Sequence, residues 1–195
     1  GLSVLVLEKN PGLGKKLLIT GGGRCNVTNA FATASGNMPI KTGDEHLTNL
    51  HGAETTDLKT DNPLFLKKFK DSDKFLFSPF SKFSIEDTLQ FFESRGMPTK
   101  VEAEGRVFPV SNTAQSVWDV LVAYMQQQNV EVRTGAEVDG FVLSSPDDNE
   151  KKIAAVKLKS GETIEARSFI LATGGTSRPD TGTNGDGFKW LKKIG

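Results

Sequence analysis

Apolar and polar positions along the chain predict strands at both ends and helices between them. Residues 2–8 (LSVLVLE) are almost continuously aliphatic, which is typical of a parallel strand covered on both faces. Residues 168–175 (SFILATGG) form a second apolar run that stops at two glycines. We predict another buried strand there.

Three helices are predicted in the middle of the chain. Asn62-Pro63 is expected to open a short helix over LFLKKF, with Asn as the cap and Pro in the first turn. A clearer helix runs from Ser84 to Arg95, since a serine cap, an acidic first turn and an apolar stripe precede Gly96. The third helix covers residues 112–128.

Short strands surround the third helix. Residues 99–110 predict two strands joined by a turn at Glu104-Gly105. Beyond the helix, turn residues separate alternating segments, which predict a strand followed by a small antiparallel meander. These segments are 130–134, 136–143, 153–159 and 162–167.

Residues 31–62 are polar and carry no clear period, so we interpret them as a loop or insertion. We interpret residues 1–195 as one partial domain. The pattern as a whole indicates an α/β fold with a parallel sheet and a small antiparallel meander.

Composition excludes several classes of protein. Lys+Arg and Asp+Glu both number 24, so no surplus positive charge is available to hold nucleic acid or an anionic membrane non-specifically. One cysteine excludes an internal disulfide framework and fits a reducing compartment. No apolar run reaches the roughly 20 residues that span a bilayer. We therefore expect a cytoplasmic protein with no membrane partner. Whether a targeting segment lies upstream of this chain is left open.

Glu8, at the end of the first strand, is a candidate nucleotide contact. In dinucleotide-binding folds an acid at the tip of the second strand binds ribose hydroxyls about 20 residues after a G-x-G-x-x-G turn. Counting back from Glu8 puts that turn before residue 1, so we expect the chain to be a fragment. A surface acid at a strand end is the alternative interpretation.

The run KKLLITGGGRCNVTN, residues 15–29, is the second candidate. Three consecutive glycines let the backbone approach a planar or phosphorylated ligand, and Arg24 and Asn26 add a cation and a neutral amide. An ordinary glycine-rich turn is the alternative. Cys25 has no second cysteine for dithiol exchange, so we predict that it packs or contacts the cofactor.

Other candidates are weaker. ATGG (172–175) follows an apolar run, and Asp186 precedes an apolar helix, where it acts as an N-cap or anchors a cofactor. Arg106 is interpreted as a salt-bridged strand residue, and a substrate- or flavin-facing cation is the alternative. His46 and His51 have no partners at metal-ligand spacing, so no metal site is predicted.

Three segments together resemble a known family. LEKNPGLGKKLLITGGGRCNVTN, EGRVFPVSNTA and ILATGGTSRPDTGTNGDGF are similar to the bacterial-type flavoprotein family of NAD(P)/FAD-dependent oxidoreductases, which includes aminoacetone-oxidase-like and BaiN-like enzymes. The resemblance implies a glutathione-reductase-like, Rossmann-like FAD-binding fold. It also implies that the first Gly-rich strand, the substrate domain and a C-terminal flavin segment lie outside this chain.

The resemblance implies FAD as cofactor and NAD(P)H as a candidate electron donor. It implies that Glu8 binds the adenosine ribose and that residues Lys15 to Asn26 line the pyrophosphate and flavin. Backbone near Val138 would contact the adenine. The full set of predicted cofactor contacts is Glu8, Lys9, Lys16, Gly21, Gly22, Gly23, Arg24, Cys25, Asn26, Val138, Thr173, Gly174, Gly175 and Asp186.

The leading hypothesis is an FAD-dependent oxidoreductase that moves hydride between flavin and NAD(P)H or a small organic substrate. No catalytic acid or base can be assigned, and this segment alone is expected to be inactive. The alternative is a flavin-binding protein of RNA modification or of structural role, although balanced charge argues against direct RNA contact. A third possibility is an inactive product of a broken gene. Substrate, nicotinamide preference and oligomeric state stay open.

Overall fold

The computed structural model describes residues 1–30, 65–144 and 152–195. The predicted loop or insertion at 31–62 and the predicted cap Asn62-Pro63 lie outside the described residues. The chain divides into two compact units. The first comprises Gly1–Lys16 and Met125–Gly195, and the second comprises Leu17–Tyr124.

A parallel pair of strands begins the first unit. Strand β1 (Leu5–Leu7) runs alongside β5 (Glu131–Arg133), with Val6 opposite Val132. The Glu8 N–H extends the pairing by donating to the Arg133 carbonyl at 3.0 Å. Both strands were predicted, but β1 is half-buried and Leu2 is 80% exposed. The prediction that both faces of this strand are buried was therefore wrong, and within the described residues β1 is hydrogen-bonded along one edge only.

The predicted antiparallel meander is confirmed. Strands β6 (Val138–Leu143), β7 (Ile153–Leu158) and β8 (Thr163–Glu165) pair in that order. Ala155, Val156 and Leu158 are its buried positions. Helix α4 (Asp186–Ile194) belongs to the same unit, and its Trp190 ring meets Phe141 of β6 edge-on, with centroids 5.8 Å apart.

The predicted buried strand at 168–175 is absent. This segment has no regular structure, and Ile170 is 95% exposed. Its apolar composition favours a strand, but a strand also needs a neighbour that satisfies its backbone N–H and C=O groups. None of the described strands pairs with it.

In the described residues of the second unit, a three-stranded antiparallel sheet packs with three helices. The sheet order is β2 (Thr28–Asn29), β4 (Arg106–Pro109) and β3 (Thr99–Val101). The predicted turn at Glu104-Gly105 lies between β3 and β4, inside a short 3-10 turn. Val107 and Phe108 of β4 are almost fully buried, so β4 is the central element of this core.

Two of the three helices match prediction closely. Helix α2 (Ile85–Glu93) buries Ile85, Leu89 and Phe92, and α3 (Ala114–Gln127) buries Ala114, Val117 and Val120. Of the predicted helix over 64–69, the described residues 65 and 66 are helical, and a 3-10 segment at Lys67–Ser72 follows them. Helix α1 (Asp73–Lys82) follows and was not predicted, because its lysines, phenylalanines and internal Pro79 form no single apolar stripe.

A reciprocal cap fixes the start of α2. The Ser84 hydroxyl accepts a hydrogen bond from the Asp87 N–H at 3.1 Å, and the Asp87 carboxylate accepts from the Ser84 N–H at 2.7 Å. Ser84 is itself buried. Two backbone N–H groups that the helix cannot satisfy are thereby paired away from water.

We predict that Ser84→Ala lowers the free energy of unfolding by about 1–2 kcal/mol, because the Asp87 N–H loses its acceptor. Urea denaturation followed by circular dichroism measures the change. Ser78→Ala, at an exposed position of α1, is the matched control and should change stability by less than about 0.5 kcal/mol. Equal losses in the two variants would contradict a specific role for the cap.

Candidate functional site

Glu8 follows β1 directly and its carboxylate is fixed by the loop that it begins. One carboxylate oxygen, Oε1, accepts hydrogen bonds from the Asn10 backbone N–H at 2.7 Å and the Asn10 side-chain amide at 2.8 Å. The same amide donates to the Thr181 carbonyl at 3.2 Å. Within the described residues the second oxygen, Oε2, has no hydrogen-bond partner. Glu8 therefore presents one oriented acceptor at the end of a parallel strand.

Lys9 and Asp186, which were each predicted as cofactor contacts, form an ion pair. The Lys9 ammonium lies 3.3 Å from Asp186 Oδ2, and Lys189 lies 3.2 Å from the other oxygen. Burial raises the pKa of Asp186, but hydrogen bonds from Lys189 and Lys9 outweigh that effect and hold the pKa below its ordinary value of 3.8. Asp186 is thus ionised at the first residue of α4, where the helix dipole favours negative charge.

Glycines allow the segment after residue 170 to lie close to the loop before α4. A Cβ on Gly174 would come within 2.8 Å of Thr183 Cγ2, and one on Gly185 within 2.8 Å of Thr176 Cγ2. A Cβ on Gly187 would likewise come too close to the Thr173 hydroxyl oxygen. Packing between these two segments accounts for Gly174, whereas a Cβ on Gly175 would have nothing described within 4 Å.

The first unit holds eight of the fourteen predicted contacts, and contacts connect some of them. Lys9 pairs with Asp186, and the Glu8 loop reaches Thr181 just ahead of α4. The Lys16 ammonium donates to Ser177 at 3.3 Å. Val138 begins β6, where it lies opposite Leu158 of β7. The eight residues are Glu8, Lys9, Lys16, Val138, Thr173, Gly174, Gly175 and Asp186.

In the second unit, Gly21, Gly22 and Gly23 form a left-handed turn. Their φ angles are +54°, +66° and +86°, a run that residues with a Cβ rarely adopt. The Cys25 N–H closes the turn on the Thr20 carbonyl at 3.0 Å. A Cβ on Gly21 would lie 2.9 Å from the Asn26 nitrogen, whereas one on Gly22 would have nothing described within 4 Å.

Arg24 leaves this turn into an ordered set of contacts. Its guanidinium donates from Nη1 to both Glu102 oxygens, at 2.9 and 3.1 Å, and lies 4.0 Å from the centroid of the Phe108 ring. Lys100 also pairs with Glu102, at 3.3 Å. The Arg24 side chain is 35% exposed. It is therefore oriented by a carboxylate and a ring, and it remains accessible on one side.

Cys25 and Asn26 bind the turn to the rest of the second unit. The Cys25 thiol is buried in an apolar cluster with Phe92, Met97 and Val117. The Asn26 amide oxygen accepts from the Val107 N–H of β4 at 3.1 Å, and its NH₂ donates to Asn29. Both residues have structural partners here, and their contact with a cofactor stays a prediction.

Glu102 and Phe108 were not identified from the sequence. Arg106 was weighed as the cation of that segment, but it is exposed and contacts Glu104 at 3.9 Å and the Ala103 carbonyl at 3.1 Å. That agrees with its interpretation as a salt-bridged strand residue. The predicted pair of strands over residues 99–110 could have identified them, because a hairpin places Glu102 and Phe108 near one another.

The residues that the structure describes contain no group of His, Cys, Asp and Glu that could hold a metal ion. Among those residues no helix is both long and apolar enough to cross a bilayer.

Comparison with known proteins identifies a matching family and several relatives of this chain. A family model described as the HI0933-like protein Rossmann domain matches residues 51–195. The chain is 29% identical over 192 residues to the 3-dehydro-bile acid delta(4,6)-reductase of Clostridium scindens, covering 98% of this chain and 37% of that protein.

Two further relatives carry a different name. The chain is 25% identical over 202 residues to the ribosomal RNA dihydrouridine synthase of Escherichia coli, covering 100% of this chain and 39% of that protein. It is 21% identical over 195 residues to the protein of the same name from Haemophilus influenzae, with 100% and 40% covered. The chain thus spans about two fifths of the length of the curated relatives that it matches.

We predict that the Arg24–Glu102 pair makes stability depend on pH. The hydrogen bond from Arg24 holds the pKa of Glu102 below its ordinary value of 4.5, against a smaller opposing effect of burial. Because the folded-state pKa is depressed, this stabilisation is present above the unfolded-state value and is lost as pH falls through the folded-state value. Glu102→Gln should therefore cost about 0.5–1 kcal/mol at pH 7 and nothing in strong acid.

Urea denaturation at a series of pH values measures this effect. Glu104→Gln is the matched control, because its side chain is 83% exposed and its contact with Arg106 is long. We expect the control to follow the unmodified protein at every pH. A constant difference for Glu102→Gln across the series would mean that the ion pair is not its cause.

Proposed function

The chain belongs to the HI0933-like Rossmann-domain family, and on this premise we propose that the protein is an FAD-dependent reductase. The observation that carries the proposal is the Glu8 carboxylate at the end of parallel strand β1. Asn10 orients it through Oε1, and Oε2 has no partner among the described residues. An acceptor in this position suits the hydroxyl groups of a nucleotide ribose.

Two glycine positions support a ligand with phosphates or a flat ring. A Cβ placed on Gly22 in the second unit, or on Gly175 in the first, would have no described atom within 4 Å. Internal packing explains Gly21 and Gly174, and a φ of +66° accounts for glycine at position 22, whereas neither packing nor φ accounts for Gly175. Backbone that is open in this way suits close approach by a pyrophosphate or an isoalloxazine ring.

Bound FAD would supply hydride-transfer chemistry, with NAD(P)H as the proposed electron source. The chain's own residues would bind and orient. Glu8 would accept hydrogen bonds from ribose, and Asp186 would stay ionised beside Lys9. Arg24, held by Glu102 and Phe108, would present its exposed side to negative charge.

We infer the substrate class from the chemistry that two relatives' names have in common. The 3-dehydro-bile acid delta(4,6)-reductase, by its name, acts on double bonds of a steroid that carries a 3-oxo group. Dihydrouridine is the product of saturating the C5=C6 bond of uracil, which is conjugated to a carbonyl. An alkene conjugated to a carbonyl accepts hydride at its β-carbon and a proton at its α-carbon, because the carbonyl stabilises the developing enolate. We propose such an alkene as the substrate.

A second candidate function is reduction of uridine in RNA. It is supported by the two relatives named ribosomal RNA dihydrouridine synthase, which match this chain along its whole length. The two candidates have the same cofactor chemistry and differ in what carries the alkene. A small 3-oxo steroid and a uridine within a polynucleotide are readily separated by assay.

The test uses the full open reading frame that encodes this chain, purified without added flavin. We expect absorbance bands of bound flavin that bleach with NADH or NADPH under nitrogen. Conjugated enones should then restore the oxidised spectrum, and mass spectrometry should show a gain of two hydrogens. Uridine-containing RNA run in parallel decides between the two candidates. A colourless protein that binds no added FAD would refute the proposal.

We also predict that Glu8→Gln weakens FAD binding about tenfold, because a charged acceptor for ribose becomes neutral while the Asn10 contact is retained. Fluorescence quenching of FAD on titration measures the affinity. Glu165→Gln, at an exposed position of β8, is the control and should bind FAD as the unmodified protein does. An unchanged affinity in Glu8→Gln would remove Glu8 from the site.

A further inference from the structure

Three of the five N–H groups of the Arg24 guanidinium have no partner among the described residues. Nη1 makes all of its hydrogen bonds, to the two Glu102 oxygens at 2.9 and 3.1 Å and to Asn112 Oδ1 at 3.4 Å. The remaining N–H groups belong to Nε and Nη2. These two nitrogens form one edge of the planar guanidinium, and we name that edge the Arg24 fork.

The Arg24 fork is held in one orientation by contacts from two directions. Glu102 fixes Nη1, and the guanidinium carbon lies over the Phe108 ring, 4.0 Å from its centroid. Phe108 is itself almost fully buried. A Cβ on Gly21 would lie 3.2 Å from Phe108 Cε1, so the left-handed turn lies against the same ring. An arginine that is oriented in this way loses little conformational freedom when it binds a ligand.

The ion pairs around the fork keep one positive charge in excess. Lys100 lies 3.3 Å from the Glu102 oxygen that Arg24 also contacts, so two cations share one carboxylate. The Arg24 and Lys100 side chains are each 35% exposed, which leaves this charge accessible. A ligand group with a single negative charge matches the excess, whereas a phosphomonoester carries about 1.5–2 negative charges and exceeds it. The charge of the cluster therefore favours a monoanion.

The shape of the fork favours a planar group with two equivalent oxygens. Nε and Nη2 direct two parallel N–H groups to the same side, and a carboxylate accepts one of them on each oxygen. Such a bidentate pair combines geometric specificity with the strength of charge-assisted hydrogen bonds. A neutral carbonyl or hydroxyl group offers one oxygen, so it cannot pair with both donors in this geometry. Charge and shape together thus indicate a carboxylate.

We propose that the Arg24 fork binds a carboxylate of the substrate, which is then a conjugated enone that carries a carboxylate apart from the reacting double bond. This inference rests on the proposed function, because that function supplies the enone and its reduction. Nε and Nη2 donate to the two carboxylate oxygens, and Lys100 adds positive potential from beside Glu102. The carboxylate stays ionised and unchanged, while hydride and a proton add to the alkene. Arg24 is therefore a specificity-determining residue.

The test compares a 3-oxo-Δ4 steroid that carries a side-chain carboxylate with the methyl ester of the same compound. The ester keeps the enone and the ring system but loses the negative charge. Isothermal titration calorimetry measures both dissociation constants for the product of the full open reading frame, without NADH or NADPH. We expect the acid to bind at least about tenfold more tightly than the ester, with a preference that weakens as salt is added. Equal affinities, or no binding of the acid, would overturn the proposal.

Arg24→Lys removes the fork and keeps the positive charge. The preference for the acid over the ester should fall to about twofold, because an ammonium group cannot donate two parallel hydrogen bonds in a fixed plane. A general loss of folding or of steroid binding affects acid and ester alike, so it cancels in this ratio. Arg106→Lys, the same change at an exposed arginine of β4, is the matched control and should keep the full preference. An unchanged preference in Arg24→Lys contradicts the proposal.

Turnover with NADH or NADPH distinguishes binding of the carboxylate from an action of Arg24 on the reacting atoms. A contact to an unreactive part of the substrate stabilises the bound substrate and the transition state equally. Arg24→Lys should therefore raise the KM of the acid about tenfold and change its kcat by less than about twofold. A fall in kcat that is the same for acid and ester would mean that Arg24 acts on the flavin, and it would overturn the proposal.

The same preparations separate this inference from the proposed function and from a contact between Arg24 and the cofactor. Bound flavin and enone reduction, with equal affinities for acid and ester, would refute the carboxylate site and leave the reductase standing. A colourless protein that prefers the acid through Arg24 would refute the reductase and leave the carboxylate site standing. Weaker FAD binding in Arg24→Lys, with the preference for the acid intact, would assign the fork to the cofactor and overturn the proposal.

Discussion

The left-handed turn at Gly21 to Gly23 is the constraint on which the second unit's candidate site depends. Three successive positive φ angles reverse the chain within a few residues, and Cys25 continues the reversal at φ +57°. The next side chains then leave in different directions. Arg24 reaches Glu102, Cys25 enters the core, and Asn26 bonds to β4. A Cβ on Gly21 would lie 2.9 Å from the Asn26 backbone nitrogen, so glycine at this position allows Asn26 to lie against the turn.

The first unit uses glycine for a different purpose. Gly174 and Gly185 allow two irregular segments to pass within van der Waals contact, where a Cβ on either would meet a threonine methyl. Lys9 and Asp186 then join the end of β1 to the start of α4 across 177 positions of sequence. Irregular backbone is thus held by close packing, by the Lys9–Asp186 ion pair and by side-chain hydrogen bonds such as that from Asn10 to the Thr181 carbonyl, in place of a strand ladder.

Local patterns predicted the elements whose causes are local. The cap at Ser84 and the alternation of 136–167 each lie within a short stretch, and both were confirmed. The strand predicted at 168–175 failed because a strand depends on a partner that composition does not reveal. Glu102 was missed as the partner of Arg24 for a similar reason. The two residues are 78 positions apart, and the pairing of both β2 and β3 with β4 brings their segments together.

Pairing of the candidate cations changes how an anionic ligand would be held. Arg24 shares Glu102 with Lys100, and Lys9 shares Asp186 with Lys189. Each carboxylate is therefore paired with two cations, and each cluster keeps one positive charge in excess. A buried or half-buried ion pair is costly to break, because one charge would lose its partner. An anionic group that approaches either cluster would therefore meet a net positive charge that the ion pairs hold in a fixed place. The paired cations would supply orientation, and the ligand's own shape would decide affinity.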